Sequence, residues 1–356
     1  MTVVEVPETQ TTPDAFGNML TFVGMWGLTA NTAYSGGNAQ VTSAVGASVA
    51  IQFNNARAVY LLTENNTTTG FFSIALDGVL YPGNVGTAGA IQMYRVLHPL
   101  MRNLSLSPTP HTLTLTLISG SLTVDSVIVI SGNLLTPTPG TVALLGDSVF
   151  FGNGSSDPTR FGMAPRLASL LGLRLNVPSV NMQNLGVPSD NLFCKDSTHL
   201  GLMHRLITGV VPLAPSHIVI NSGINDIYAN VGQPADYLRQ IMVLLCAIKD
   251  IFDTTQVVIA LATPTPVIPL YFGNSSSNQG TKDDNYLAAV EAARMAAQQF
   301  AWCRIADLYA VLENHESYNI PNQTGNTFDP HPNDAGHGLA AMELFHALTA
   351  IDSGAY

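Results

Sequence analysis

The hydrophobic pattern of the chain changes its period near residue 132, and this change constrains the fold more than any other feature. From about residue 22 to residue 131, short runs of alternating apolar and polar residues recur between turn sequences such as Asp77-Gly78. In His111–Leu117, leucine alternates with threonine, which is typical of a strand with one buried face. Several such strands without helices between them predict a β-sandwich or jelly roll.

Beyond residue 140, apolar strands alternate with helical patterns. The predicted strands are 142–146, 217–222, 256–262 and 303–307. The predicted helices are at about 160–172, 196–209, 234–252, 282–300 and 334–351. This alternation predicts an α/β fold, in which a parallel sheet carries helices on both faces.

The two patterns divide the chain into segments of different character, and a short Pro/Thr-rich stretch separates them. The predicted organisation is an N-terminal arm at 1–17, a β-sandwich domain at 18–132, a linker at 133–140 and an α/β domain at 141–356. A chain of 356 residues is long enough for two domains, each with its own core.

Charge excludes one class of partner. The net charge is -11 and only 13 residues are Lys or Arg, so nucleic acid is not an expected partner. Only 10% of residues are charged, so the surface depends on uncharged polar side chains, which suit a protein that binds sugars.

The N-terminus has no signal-peptide pattern, and no apolar stretch approaches the ~20 residues that span a bilayer. We therefore expect an extracellular or virion-associated chain without a signal peptide or membrane span.

Cysteine and histidine usage favours chemistry without a metal. The three cysteines, Cys194, Cys246 and Cys303, are odd in number and form no C-x-x-C pair. They therefore indicate neither a disulfide framework nor a zinc site. Six histidines, at 199, 204, 217, 315, 337 and 346, show no spacing typical of metal ligands. The sequence predicts no metal and no organic cofactor.

Three short sequences in the C-terminal segment carry reactive side chains. Gly146-Asp147-Ser148 follows the first strand of the α/β pattern. Gly223-Ile224-Asn225-Asp226 follows the next predicted strand, and Asp329-Pro330-His331-Pro332-Asn333 precedes the last helix. Because an open α/β sheet presents its reactive groups at the carboxyl ends of its strands, all three can meet at one edge.

The residue types fit nucleophilic catalysis. Ser148 needs a base to remove its proton, and His331 is the candidate. His331 in turn needs a group that fixes its tautomer, and Asp329 is the nearest upstream carboxylate. Asn225 can donate a side-chain N–H to an oxyanion. Taken singly, each of these residues also fits an ordinary turn or helix start.

Together, these sequences resemble the SGNH/GDSL hydrolase superfamily of esterases and acetylesterases, over residues 141–352. The resemblance implies a flavodoxin-like sheet. The Gly-Asp-Ser block implies that Ser148 is the nucleophile and that its N–H is an oxyanion donor. The Gly-x-Asn-Asp block implies that Asn225 is the oxyanion amide, and the His-Pro-Asn block implies that His331 is the base.

Two positions depart from the family pattern. The second block usually places a glycine where this chain has Ser189, whose backbone N–H can still serve as an oxyanion donor. The fifth block usually has aspartate three residues before the histidine, where this chain has Phe328. Asp329, two residues before His331, is the expected orienting acid. The alternative is a Ser–His dyad assisted by a backbone carbonyl.

The substrate is expected to be an ester of a sugar. Phe150 lies beside the nucleophile in sequence and is expected to wall an acyl pocket, which favours a small group such as acetyl. The N-terminal segment resembles β-sandwich modules, often carbohydrate-binding, that precede such esterases. Trp26 is a candidate for stacking on a sugar, and packing within the sandwich is its alternative.

The combined prediction is a serine esterase that removes O-acyl groups, chiefly O-acetyl, from a polysaccharide through an acyl-enzyme. Its predicted partner is an acylated glycan or a small ester, and the sequence leaves homo-oligomer or virion assembly open. The alternative is a phage or surface glycan-binding fibre protein with weak or no hydrolase activity.

Overall fold

The structure is a computed structural model that describes residues 1–65, 70–87, 93–175, 179–188, 191–192, 201–228, 234–266, 279–313 and 331–350. The described residues form two compact units. The first contains Met1–Leu135 together with Met242–Phe252. The second contains the rest of the described residues.

The first unit is built from antiparallel strands. They are β1 Thr2–Pro7, β2 Met19–Val23, β3 Gly27–Ala30, β4 Asn38–Thr42, β5 Ser48–Phe53, β6 Ala56–Asn65, β7 Phe71–Leu76, β8 Val79–Gly86, β9 Met93–Met101, β10 His111–Ser119, β11 Leu122–Val124 and β12 Ser126–Ser131. Three sheets result, in the orders β1-β12-β6-β9, β2-β5-β10-β7-β8 and β11-β4-β3.

The core of the first unit follows the alternation seen in the sequence. In β10, Leu113, Leu115 and Leu117 are buried in one apolar cluster, while the threonines between them are half-exposed. In β12, by contrast, every residue from Ser126 to Ile130 is buried, because both faces of its sheet are covered. The antiparallel sheets confirm the predicted β-sandwich class.

The predicted N-terminal arm, residues 1–17, differs from the structure. Its residues Thr2–Pro7 form strand β1, which pairs with β12 from Thr2↔Ser131 to Pro7↔Ser126. The physical reason is the valine-rich sequence, since Val6 is buried in the core and β-branched residues favour strands. The predicted linker at 133–140 likewise gives way to a strand that begins at Thr138.

A partly buried ion pair stabilises the first unit. Arg102 donates from Nε and Nη2 to the two carboxylate oxygens of Asp250, at 2.7 and 2.9 Å. The hydroxyl of Tyr60 donates to the same carboxylate. Burial raises the pKa of Tyr60 far above its ordinary value, so this hydroxyl stays protonated and remains a donor.

The second unit contains a five-stranded parallel sheet in the order β14-β13-β15-β16-β17. Its strands are β13 Thr138–Leu145, β14 Asn181–Asn184, β15 Pro215–Asn221, β16 Val258–Ala262 and β17 Cys303–Ala306. Its helices are α1 Ser148–Phe151, α2 Met163–Leu175, α3 Gly201–Arg205, α4 Val211–Leu213, α5 Ile224–Tyr228, α6 Pro234–Ile251, α7 Gln279–Gln299, α8 Leu308–Leu312 and α9 Asp334–Thr349. Of α6, the residues from Met242 onward belong to the first unit. A π-helical turn, Leu206–Val210, joins α3 to α4. The flavodoxin-like α/β class is confirmed.

The strand order of this sheet reverses direction at one place. The chain forms β13 first, then β14 on one side of it and β15 on the other, so the order reverses between β13 and β15. Ligands of open α/β sheets bind outside the carboxyl ends of the strands at such a reversal. Ser148 follows β13 and Asn225 follows β15, so the fold itself selects this point for the site.

Among the described residues, no helix combines the length and the apolar character that crossing a bilayer requires.

Candidate active site

Ser148 is presented by a sharp turn between β13 and α1. Asp147 is the N-cap of α1, and its Oδ1 accepts a hydrogen bond from the N–H of Val149 at 2.9 Å. This cap satisfies one of the amides that a helix start leaves unpaired. Ser148 is therefore the first residue of the helix, fixed in direction, with only 6% of its surface exposed.

His331 lies against the hydroxyl of Ser148. Its Nε2 is 2.7 Å from the Oγ of Ser148, although the two residues are 183 positions apart in sequence. This distance is that of a hydrogen bond between a nucleophile and its base. The sequence predicted both residues for one site, and the structure brings them together.

The helix that follows His331 has its own N-terminal cap. The Oδ1 of Asn333 accepts hydrogen bonds from the N–H groups of Ala335 and Gly336, at 3.0 and 3.1 Å. The carboxylate of Asp334 accepts from both the N–H and the Oγ of Ser156. The start of α9 is thus fixed to the loop that follows α1.

Gly154 lies where that loop touches His331. Its φ is +87°, a left-handed conformation that glycine adopts readily. A Cβ at this position would lie 2.4 Å from the carbonyl oxygen of Pro332 and 2.7 Å from the Cβ of His331. Only a residue without a side chain lets the histidine segment approach this closely. The sequence analysis did not single out Gly154, because nothing local marks it.

A second loop runs beside α1 after strand β14. The Nδ2 of Asn184 donates to the carbonyl of Phe150 at 2.6 Å, and its Oδ1 accepts from the N–H of Gly186 at 3.0 Å. A Cβ on Gly186 would meet the backbone of Phe151 and Asp147 within 2.8 Å. The N–H of Gly186 is already used by Asn184, so this amide is not a ready oxyanion donor.

Asn225 lies half-buried on α5, directly after strand β15. The turn that precedes α5 is held by Tyr237, whose hydroxyl donates to the carbonyl of Ser222 at 2.8 Å. Burial raises the pKa of Tyr237 well above its ordinary value, so it remains a donor. Asp226 accepts from the N–H of Leu192 at 3.0 and 3.1 Å, which fixes Leu192 to α5.

Two predicted site residues, Asp329 and Ser189, lie outside the described residues. Their predicted roles, as orienting acid and oxyanion donor, stay predictions.

The two predicted substrate-contacting aromatics occupy other places. Phe150 is fully buried and faces the core, so it does not wall an open pocket, whereas the next residue, Phe151, is 46% exposed. The reason is helical geometry, since neighbouring residues of α1 point in different directions. Trp26 is half-buried: its indole N–H donates to the carbonyl of Val23, and its ring packs edge-on against Phe22 at 4.9 Å.

His337 is a buried titratable side chain for which the sequence predicts no role. It is fully buried on α9, and its Nε2 is 2.9 Å from the carbonyl oxygen of Asn153. Burial, with a smaller contribution from the neighbouring His331, lowers the pKa of His337 to about 4. The imidazole is therefore neutral near pH 7.

Within the described parts of the chain, no three His, Cys, Asp or Glu side chains are grouped to hold a metal ion.

Comparison with known proteins gives a family for the C-terminal part of the chain. Residues 144–339 match the family described as GDSL-like lipase/acylhydrolase, and this range is more than half of the sequence. The chain belongs to the GDSL-like lipase/acylhydrolase family. Membership assigns it to the esterases and acyl hydrolases. Ser148, Asn225 and His331 all lie within the matched range.

Several solved structures are similar to this GDSL-like chain at low identity and low TM-score. A family two carbohydrate esterase from Clostridium thermocellum in complex with cellohexaose is 15% identical, with 90% of this chain and 97% of that chain covered and a TM-score of 0.37. An acetyl xylan esterase from the rumen bacterium Butyrivibrio proteoclasticus is 12% identical, with 96% and 94% covered and a TM-score of 0.36. No curated protein matches the sequence.

Proposed function

We propose that this chain is a serine esterase that hydrolyses O-acyl esters through an acyl-enzyme, with Ser148 as nucleophile and His331 as base. The single observation that carries the proposal is the 2.7 Å contact between the Nε2 of His331 and the Oγ of Ser148. A serine hydroxyl is a weak nucleophile until a base within hydrogen-bond reach removes its proton. Family membership supports the reaction class, and this contact supports the activation of Ser148 by His331.

The reaction proceeds in two halves. The Oγ of Ser148 attacks the ester carbonyl while its proton passes to the Nε2 of His331. The C–O bond to the alcohol then breaks, and His331 returns the proton to the departing oxygen. In the second half, His331 takes a proton from water while the water oxygen attacks the acyl carbon. The bond between the acyl carbon and the Oγ of Ser148 then breaks, the carboxylic acid leaves, and His331 returns the proton to Ser148.

The negative charge of both tetrahedral intermediates falls on the former carbonyl oxygen. In this proposal the side-chain amide of Asn225 and the backbone N–H groups of Ser148 and Ser189 donate to that oxygen. Asp329 holds the imidazole of His331 in the required tautomer, or a backbone carbonyl does so in a Ser–His dyad. No metal or organic cofactor takes part in these steps.

The proposed substrate is a small acyl ester, chiefly acetyl, on a neutral polysaccharide. The net charge of -11 repels anionic polymers, and a chain with only 10% charged residues presents a largely uncharged polar surface. The recessed position of Ser148, 6% exposed, favours a compact acyl group over a long one. In this proposal the sandwich, assigned to residues 18–132, holds the glycan for the hydrolase domain at 141–356, and the protein works outside the cell or on a virion.

A fluorophosphonate probe tests the nucleophile directly. We expect the probe to label the wild-type chain at Ser148, and Ser148→Ala to abolish both labelling and turnover of p-nitrophenyl acetate. The control is Ser169→Ala, because Ser169 is an exposed serine on α2 whose Oγ donates only within its own helix. Residual activity of Ser148→Ala above about one percent contradicts the role, since loss of a catalytic nucleophile costs far more.

The same preparation tests the substrate class. Acetate should be a better substrate than octanoate, and an acetylated polysaccharide should release acetic acid. Preference for octanoate would reject the small acyl pocket. Tight glycan binding without labelling at Ser148 would favour a binding protein over an enzyme.

A further inference from the structure

We propose that His337 is a positioning residue of the esterase, because it holds the loop that sets the distance between Ser148 and His331. The inference rests on the proposed function of those two residues and adds a third side chain that touches neither substrate nor reacting atoms. His337 acts on the site through the backbone of Asn153.

The first step is the hydrogen bonding of Asn153. Its carbonyl oxygen lies 2.9 Å from the Nε2 of His337, and its N–H donates to the carbonyl of Ser148 at 3.0 Å. Both backbone groups of one residue are therefore engaged, one by α9 and the other by the first residue of α1. Asn153 links the helix that bears the nucleophile to the helix that follows the base.

The second step is the contact made by the next residue. Gly154 packs against His331 so closely that a Cβ would lie 2.7 Å from the Cβ of His331. A displacement of the carbonyl of Asn153 would move Gly154 as well, since one peptide unit joins them. The hydrogen bond of His337 therefore helps to fix the position of the His331 imidazole that faces Ser148.

The third step is the choice of side chain. A carbonyl oxygen only accepts, so the Nε2 of His337 must carry the proton. The titratable groups that face His337 are His331, Asp334 of α9 and Arg166 of α2. Burial lowers the pKa of His337 to about 4 and outweighs Asp334 and the hydrogen bond to Asn153, which raise it, so the ring remains a neutral donor across the working range of an esterase. In the part of the chain that the structure describes, its Nδ1 has no hydrogen-bond partner.

A role limited to helix formation does not account for this contact. Asn333 already caps α9, and Asp334 already joins it to Ser156. The start of the helix therefore has its stabilising contacts without His337. What His337 adds is the fixed position of the Asn153 carbonyl.

The test compares two substitutions of similar size. His337→Leu keeps the apolar volume and removes the donor. His337→Gln places an amide N–H close to the position of the Nε2 and restores the donor. We measure kcat and KM with p-nitrophenyl acetate, the rate of fluorophosphonate labelling at Ser148, and the thermal unfolding of each variant.

The expected result is a split between kcat and KM. His337→Leu should lower kcat and the labelling rate at least about tenfold, because displacements below 1 Å in a catalytic pair cost that much. Its KM should change less than about threefold, and His337→Gln should recover kcat to within about threefold of wild type.

Three outcomes would overturn the inference. They are an unchanged kcat in His337→Leu, a His337→Gln variant as slow as His337→Leu, and loss of folded protein in both variants, which would assign a purely structural role. Failure of the proposed function is distinguished from failure of this inference by the wild-type chain. If the proposed function is wrong, the wild-type chain shows neither turnover nor labelling at Ser148.

Discussion

Replacing Gly154 by alanine tests the geometry of the site most directly. The new Cβ would lie 2.4 Å from the carbonyl oxygen of Pro332, whereas real Cβ atoms do not approach closer than 3.0 Å. One of the two segments must therefore move by about 0.6 Å, the difference between these distances. The neighbouring atoms are backbone atoms and the Cβ of His331, which is fixed to the backbone, so no side chain can rotate away instead.

The displacement translates into a loss of rate. If the segment of His331 retreats along its contact with Ser148, the distance of 2.7 Å grows to about 3.3 Å, beyond the usual range of such a hydrogen bond. A misplacement of 1 Å in a catalytic group costs roughly 100-fold. We therefore expect kcat of Gly154→Ala for p-nitrophenyl acetate to fall roughly 10- to 100-fold, with KM nearly unchanged.

The matched control is Gly140→Ala. Gly140 lies in the same unit and has a φ of +73°, close to the +87° of Gly154, but nothing lies within 4 Å of its Cβ position. Both variants lose about 1 kcal/mol of stability from the left-handed backbone. Only Gly154→Ala should lose activity. If kcat of the two variants agrees within twofold while both are folded, the close approach of Gly154 does not set the geometry of the pair.

Three other perturbations have defined outcomes. Asn225→Ala should lower kcat by about 10²- to 10³-fold, because one oxyanion donor is lost, and an unchanged kcat would remove Asn225 from the mechanism. Stability should fall as pH drops from about 6.5 to about 4, since the unfolded chain protonates His337 first; the full effect is about 3 kcal/mol. Urea titrations at pH 7 and 4.5 should show this loss in wild type and a smaller one in His337→Gln. Arg102→Met should lower the free energy of unfolding by about 2 kcal/mol, because it leaves the buried carboxylate of Asp250 without its partner, and adding Asp250→Asn should recover part of that loss.

Much of the fold could be predicted because its elements repeat a local period. Leu113, Leu115 and Leu117 alternate with threonine and form one buried face, as the pattern of β10 predicts. Strand β14, Asn181–Asn184, was not predicted, because its sequence Asn-Met-Gln-Asn does not alternate between apolar and polar residues. It is a strand because it pairs with β13 at the edge of the sheet.

The site was predicted in part for a similar reason. Ser148, Asn225 and His331 are marked by short sequences at the ends of strands and before a helix, so their chemistry can be read locally. Phe150 could not be placed in this way, because adjacent positions of a short helix differ in burial and only packing decides which faces the core.

By itself, the sequence determined two fold classes and the identity of the reactive groups, since hydrophobic periods and residue chemistry are local properties. Tertiary structure alone decided that an imidazole lies 2.7 Å from a hydroxyl 183 positions away. It also decided that Gly154 must lack a side chain and that His337 holds a loop of the site. Such roles depend on which distant segments pack against each other, and no local pattern records that arrangement.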